Sequence, residues 1–270
     1  MDEWVRADEP RTPTTRSATT RSATTRSATD RPPRRAPTAG PATEPTLPAD
    51  VATEIRRTAD AATARHKEVL VERMGEAVAS YDRHRYQDAL RLGKQVAKEV
   101  PTVAAVRRLA GFAAYRLGRW REAIRHLEAY GELAGEVDHV PSLMDCQRAL
   151  GHPRKVADLW NDLRRRSPDP DVLTEGRIVA VSTLADRGKL GDAIALLTAA
   201  GAARALRNPS ERHLRQWYVL GDLYERAGDV PQACELFGRV QRAEPEAYDV
   251  TVRLEALGRS SGSRRGRARR

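Results

Sequence analysis

The chain contains 270 residues, of which 40% are hydrophobic and only 5% are aromatic, so the core of one large or two ordinary domains has to be built from closely packed Leu, Ala and Val. This composition favours helices over a β-sandwich. The net charge is +10, but the charge is unevenly distributed. Residues 1–50 carry 8 basic and 7 acidic groups, residues 51–258 carry 33 and 30, and residues 259–270 carry 6 and none. This distribution argues against a uniformly basic nucleic-acid-binding domain.

Residues 1–49 are predicted to form a disordered tail. From Pro10 to Pro48 the sequence is mainly Thr, Pro, Ala, Ser and Arg, with three copies of TRSAT, and it has too few large apolar groups to offset the entropy of ordering it. A phosphorylation or adaptor role for its Ser and Thr residues is the alternative. No apolar run reaches the roughly 18 residues that span a bilayer, and the acidic start is unlike a signal peptide. We therefore expect a cytoplasmic protein without membrane contact.

Helical sequence begins at Asp50, whose carboxylate is an expected N-cap. From there to Tyr81 the apolar residues follow a helical rhythm, interrupted only by Gly75 and by no proline. The pattern is compatible with one long helix. It is equally compatible with a leading helix followed by a second one, with a break near His66 and Lys67.

A turn then recurs five times along the chain. The corresponding turn positions are separated by 34, 33, 37 and 40 residues, which is typical of a helical repeat protein. Four of the five are glycine, as expected for a helix that ends in a left-handed residue. The turn residues are His84, Gly118, Gly151, Gly188 and Gly228.

A small residue follows each turn five places later, and it predicts a close contact between the two helices that the turn connects. One helical turn further on, a large apolar residue is expected to fill the space between neighbouring pairs, with Gly93 as the exception. The small residues are Ala89, Ala123, Val156, Ala193 and Ala233. The large residues are Leu127, Trp160, Leu197 and Phe237.

This pattern resembles the tetratricopeptide repeat (TPR), whose signature is W-x2-L-G-x2-Y, then A-x3-F, then P. The last repeat has the expected residue at every place: Trp217, Leu220, Gly221, Tyr224, Ala233, Phe237 and Pro245. The layout is also similar to that of repeat proteins from high-GC bacteria. The resemblance covers about residues 70–250. It implies an all-α, right-handed α-solenoid of about five TPR-like helix pairs within residues 50–258, with a leading helix and a C-terminal capping helix.

A search for chemistry favours a protein without catalytic activity. The sequence has no G-x4-G-K-[ST], no G-x-G-x-x-G and no H-E-x-x-H motif, and its two cysteines and six histidines are not grouped at metal-ligand spacing. We therefore expect a protein that is not an enzyme and that uses no cofactor and no metal ion. The resemblance implies instead that it binds a protein or peptide and serves as a scaffold.

The resemblance also implies a concave groove lined by the first helix of each pair. Arg108, Phe112 and Tyr115 recur at helical steps of four and three, which predicts an aromatic stripe edged with guanidinium groups. Whether Phe112 and Tyr115 bind a partner or pack between repeats is open at this point. The predicted partner-binding residues are Arg108, Phe112, Tyr115, Arg116 and Arg148, and the wider groove includes Met74, Val78, Tyr81 and Asp145.

Residues 259–270 are predicted to form a basic disordered tail. A mobile run of arginines binds nucleic-acid phosphates without reading sequence, so the alternative function is that of an RNA- or DNA-associated protein. A passive, solubilising tail is the simpler interpretation. The residues concerned are Arg264, Arg265, Arg267, Arg269 and Arg270.

Overall fold

The computed structural model describes residues 47–166 and 169–267, with side chains described as far as Gly258. Within these residues the chain forms twelve α-helices and no strand. The helices are α1 (Ala49–Thr58), α2 (Ala64–Asp82), α3 (Tyr86–Glu99), α4 (Ala104–Arg116), α5 (Trp120–Ala134), α6 (Val140–Ala149), α7 (Pro153–Arg166), α8 (Pro170–Asp186), α9 (Leu190–Ala199), α10 (Glu211–Ala227), α11 (Val230–Ala243) and α12 (Val250–Arg267).

Ten of these helices form five consecutive pairs, from α2 with α3 to α10 with α11. Helix α1 precedes the first pair and α12 follows the last. The prediction of an all-α repeat protein with five helix pairs, a leading helix and a final helix is therefore confirmed. The predicted N-terminal tail, residues 1–49, lies almost wholly outside the described residues.

The start of the ordered helices differs in detail from the sequence prediction. Pro48 is the N-cap of α1, so Asp50 lies in the first helical turn, where its charge still suits the positive end of the helix dipole. A separate leading helix is present, but the break comes earlier than His66. Helix α2 begins after Thr63, whose hydroxyl accepts a hydrogen bond from the backbone N–H of His66 at 3.3 Å.

All five predicted turn residues adopt the left-handed conformation, with φ between 61° at His84 and 82° at Gly228. In each turn the N–H of the following residue donates to the carbonyl five residues earlier, at distances of 2.8 to 3.0 Å. This bond satisfies a carbonyl at the helix end that would otherwise lack a partner. His84 makes the same turn as the four glycines, at the cost of the strain that a side chain introduces at positive φ.

The two helices of each pair approach closely at the predicted small residues. Ala89, Ala123, Val156, Ala193 and Ala233 are all 0% exposed. Glycine on the first helix serves the same contact, because a methyl group added to Gly221 would lie 2.8 Å from the Phe237 ring and one added to Gly111 would lie 2.7 Å from Leu127. A side chain at either position would force the helices apart.

Contacts between pairs follow one scheme along the array. The second helix of each pair packs on the first helix of the next pair, and the first helices also contact one another in the series α2, α4, α6, α8 and α10. Within the described residues, no contact of similar extent joins the second helices of neighbouring pairs. The first helices therefore line the inner side of a solenoid, and the second helices cover its outer side.

The final helix packs on α11 and buries Val250 and Leu257. It continues to Arg267, beyond residue 259, where the basic tail is predicted to begin. None of the helices in the described residues combines the length and the hydrophobicity of a membrane-spanning segment.

Candidate functional site

Helix α4 carries four of the five predicted groove residues on the inner side of the solenoid. Its opposite face is buried through Val106, Ala110, Gly111, Ala113 and Ala114. Arg108 is exposed, and Phe112, Tyr115 and Arg116 are partly exposed. The helical period therefore separates a packing face from a face that is open to solvent.

An aromatic–arginine patch joins α4 to the preceding pair. The Arg108 guanidinium lies 5.4 Å from the centre of the Phe112 ring, and the Arg116 guanidinium lies 5.9 Å from the centre of the Tyr86 ring. The Tyr81 and Tyr86 rings meet edge to face, with their centres 5.2 Å apart. These five residues define the patch, in which each guanidinium is held over an aromatic face.

The two arginines of the patch differ in their access to carboxylates. Arg108 donates to Asp138 on the approach to α6 at 3.2 Å. Arg116 contacts Tyr86 and, among the residues that the structure describes, has no carboxylate within ion-pair distance. Arg116 therefore keeps a guanidinium whose donors are free to meet a ligand.

Tyr115 is engaged within the protein. Its hydroxyl donates to Asp145 on α6 at 2.9 Å, and its ring packs edge to face on Trp120 with the centres 5.8 Å apart. Burial, followed by the charge of Asp145, raises the pKa of the Tyr115 hydroxyl above its ordinary value. Tyr115 thus connects the second pair to the third, and its contacts within the protein are structural.

Arg148, which is predicted to line the groove, is also engaged within the protein. Its side chain is only 12% exposed and donates to Asp145 at 2.8 Å and to Asp186 at 2.7 Å. Burial alone lowers the pKa of Arg148, but the charge of Asp145 and the hydrogen bond to Asp186 outweigh it and raise the pKa. Tyr115, Asp145, Arg148 and Asp186 form one polar network that spans three repeats.

Further along the inner side, the charges are again paired. Arg215 on α10 binds Glu175 on α8 at 2.6 Å. On α12, Arg253 binds Asp222 at 2.7 Å and Glu225 at 2.6 Å, and its guanidinium lies 4.7 Å from the centre of the Phe237 ring. These ion pairs join one repeat to the next, so they serve cohesion of the array.

The remaining predicted site residues are distributed as follows. Met74 is 2% exposed and belongs to the core, so its assignment to the groove is wrong. Val78 and Tyr81 are partly exposed on α2. The side chains of Arg264, Arg265, Arg267, Arg269 and Arg270 lie outside the described part of the structure.

Sequence reasoning missed two members of the site. The first is Asp186, which lies two residues before the turn residue Gly188. Arg116 lies at the same position before Gly118 in the second repeat. Aligning the fourth repeat with the second would therefore have identified Asp186. The second is Tyr86, the first residue of α3. Its partner Arg116 lies on the next helix pair, and no local pattern indicates that contact.

One match to a catalytic motif lies in a conformation that the motif does not use. The sequence GRSSG at residues 258–262 matches the G-x-S-x-G pattern of a nucleophile elbow, but it lies inside α12, whereas the elbow is a sharp strand-to-helix turn. Within the described residues, no group of three or more His, Cys, Asp or Glu side chains is arranged to hold a metal ion.

Comparison with known proteins agrees with the repeat architecture. The structure is similar to TTC0263, a thermophilic TPR protein of Thermus thermophilus, with a TM-score of 0.54 and 19% identity over 69% of this chain and 97% of that chain. It is also similar to YrrB, a TPR protein with an unusual peptide-binding site, with a TM-score of 0.47 and 17% identity over 73% of this chain and 97% of that chain. No protein-family model and no curated protein sequence matches. The likeness to TTC0263 confirms the predicted resemblance at the level of the fold, and the chain is a TPR-like helical solenoid.

Proposed function

We propose that this protein is a non-catalytic protein-interaction scaffold that binds a peptide segment of its partner on the inner side of the first two helix pairs. The observation that carries the proposal is the aromatic–arginine patch, where Phe112 stays partly exposed and Arg116 has a guanidinium without a carboxylate partner in the described structure. Arginine and aromatic side chains combine broad contact area with directional donors, and they dominate peptide-binding hot spots.

The geometry favours a peptide over a small ligand. Arg108, Phe112 and Arg116 lie along about two turns of α4, and Tyr81 and Tyr86 extend the patch to the preceding pair. The patch is therefore a surface along the helices that suits an extended or helical chain. A matching segment presents an apolar residue to Phe112 and an acidic residue to Arg116, because a carboxylate accepts two hydrogen bonds from one guanidinium.

A library of displayed peptides of random sequence tests this proposal and does not require the partner to be identified first. We expect selection on the full chain to enrich peptides that carry Asp or Glu within one helical turn of Leu, Ile or Phe. For an enriched peptide, Arg116→Glu is expected to weaken binding by about 2–4 kcal/mol, since it replaces a charge-assisted pair with a repulsion.

The matched control is Arg121→Glu on α5, where an exposed arginine of the outer side undergoes the same change of charge. It is expected to alter affinity by less than about 0.5 kcal/mol at physiological salt. If selection enriches no common sequence, or if both variants lose affinity equally, the inner side of these two pairs is not a peptide site.

The same experiment separates this function from the alternative of nucleic-acid association. Deleting residues 259–270 removes six arginines and no acidic residue, and it leaves the patch intact. Peptide binding should survive the deletion. Loss of peptide binding on deletion, together with strongly salt-dependent binding of RNA or DNA by the full chain, would favour the alternative.

A further inference from the structure

A cavity of about 430 Å³ lies on the outer side of the solenoid, along α3. It is open to solvent. Its lining residues on α3 follow one helical stripe, and Arg119 lines it from the turn before α5. None of them belongs to the aromatic–arginine patch. The lining residues are Gln87, Leu90, Arg91, Lys94, Gln95, Lys98 and Arg119.

The cavity carries more positive charge than its contacting carboxylates neutralise. Glu122 binds Lys94 at 2.6 Å and lies 3.6 Å from Arg119. Asp88 lies 3.7 Å from Arg91, but it is bound more closely, at 2.7 Å, by Arg85. Four cations line the cavity, and the two carboxylates that contact them are Glu122 and Asp88, the second of which is bound more closely by Arg85 outside the cavity. Lys98 has no ion-pair partner within the described residues.

A neighbouring histidine responds to the same field. His126 on α5 is 8% exposed, and no hydrogen-bond partner of its Nδ1 is found among the described residues. Burial, and then the charges of Arg107, Arg125 and Lys94, lower the pKa of His126 to about 4 against the opposing effect of Glu122.

We propose that the α3 cavity binds a phosphate monoester group. A monoester carries close to two negative charges near pH 7 and three acceptor oxygens, which fits a site with several cations and the amide donors of Gln87 and Gln95. A single carboxylate would leave much of the excess charge uncompensated.

Nuclear magnetic resonance of the full chain tests the site directly. The side-chain NH₂ signals of Gln87 and Gln95 report on the cavity and not on the arginine-rich ends of the chain. We expect saturable shifts of these signals with inorganic phosphate and with O-phosphoserine. Glutarate, a dicarboxylate of similar charge, is expected to bind about tenfold more weakly, because its two charges lie apart.

Three probes identify the source of the phosphate. Tighter binding of a phosphoserine peptide than of O-phosphoserine points to a modified protein, and equal binding points to a small phosphorylated molecule. Either result supports the proposal. Tighter binding of a single-stranded oligonucleotide, whose diesters carry one charge each, would overturn it.

Charge-reversing variants supply the control. Arg91→Glu combined with Lys98→Glu is expected to weaken phosphate binding about tenfold or more, while Lys94 keeps its ion pair with Glu122. Arg154→Glu combined with Lys155→Glu makes the same change of charge on exposed positions of α7, and it should alter binding by less than about twofold. Both variants retain the arginine-rich ends, so non-specific attraction is the same in each.

Three results would overturn the proposal: equal losses in the two charge-reversing variants, no saturable shift up to about 20 mM phosphate, or glutarate binding as tightly as phosphate. If the α3 variant proves unfolded by circular dichroism, Arg91→Gln combined with Lys98→Gln replaces it. The neutral pair keeps the length of both side chains nearly unchanged and is expected to weaken phosphate binding about fivefold or more.

Discussion

Arg116 and Arg148 are the same residue type on first helices of the solenoid, yet they differ in what surrounds them. Arg148 is nearly buried between Asp145 and Asp186, whereas Arg116 is partly exposed and lies over the Tyr86 ring. Arg148 has one carboxylate on its own helix, Asp145, and a second from the next repeat, Asp186. Arg116 instead meets an aromatic ring of the preceding repeat. The polar network therefore holds repeats together, and the aromatic–arginine patch is left available for binding.

The two regions also show how degenerate repeats diversify one surface. Phe112 and Asp145 stand at the same distance before their turn glycines, Gly118 and Gly151. An aromatic residue at this position gives an exposed apolar surface in the second repeat. A carboxylate at the same position gives an internal acceptor in the third, where Tyr115 and Arg148 donate to it.

The largest expected effect is a loss of folding stability when Arg148, the cation of the polar network, is replaced. Arg148→Met leaves Asp145 buried with Tyr115 as its remaining donor in the network, and breaking a buried ion pair in this way typically costs about 3–5 kcal/mol. Denaturation by urea measures the change. Arg116→Met is the matched control and should cost less than about 0.5 kcal/mol. Equal losses would show that the two arginines do not differ in role.

Acid is expected to lower the stability of the second repeat. This repeat carries the patch on α4 and the titrating group, His126, on its outer helix α5. The unfolded chain protonates His126 near its ordinary pKa of 6.5, whereas the folded chain does so only at about 4. Protons therefore bind preferentially to the unfolded state, and stability falls as pH decreases from about 6.5 to 4. The pKa difference corresponds to at most about 3 kcal/mol.

Comparison with His126→Phe isolates this contribution. The variant lacks the titrating group, so its unfolding free energy should change less between pH 7 and pH 4 than that of the natural chain, by up to about 3 kcal/mol. The same pH dependence in both proteins would assign the acid sensitivity to other groups.

A smaller effect separates two aromatic residues one helical turn apart on α4. Tyr115→Phe removes the donor to buried Asp145 and is expected to cost about 1–2 kcal/mol, while Phe112→Leu should cost less than about 1 kcal/mol because Phe112 is partly exposed. For peptide affinity the order should reverse. A larger loss of affinity from Tyr115→Phe than from Phe112→Leu would transfer the binding role to the network.

The smallest expected effect is a gain of stability at the turn next to Tyr86. His84→Gly gives the first repeat the same turn residue as the other four and relieves the strain at φ 61°, which is worth about 1 kcal/mol. The substitution also removes the 3.1 Å hydrogen bond between His84 and the Tyr86 hydroxyl, so the net gain should be about 0.5 kcal/mol. A net loss would show that His84 holds Tyr86 in the patch.

The repeat architecture could be predicted from local sequence because its determinants are local. A left-handed residue such as Gly188 ends one helix, and a small residue such as Ala193 permits the next to pack against it. Both features recur within one repeat and do not depend on distant contacts. The break between α1 and α2 was placed too late, because both sides of it have a helical pattern and only a short turn separates them.

The sequence by itself also determined that Arg108, Phe112, Tyr115 and Arg116 share a face of one helix, since the helical period alone requires it. Only the tertiary structure decided which arginines of the inner side are engaged. Asp186 binds Arg148 across 38 residues of chain, and the distance between their charges depends on how successive repeats stack. The physical reason is that helix formation is a property of neighbouring residues, whereas pairing of charges depends on where distant residues meet.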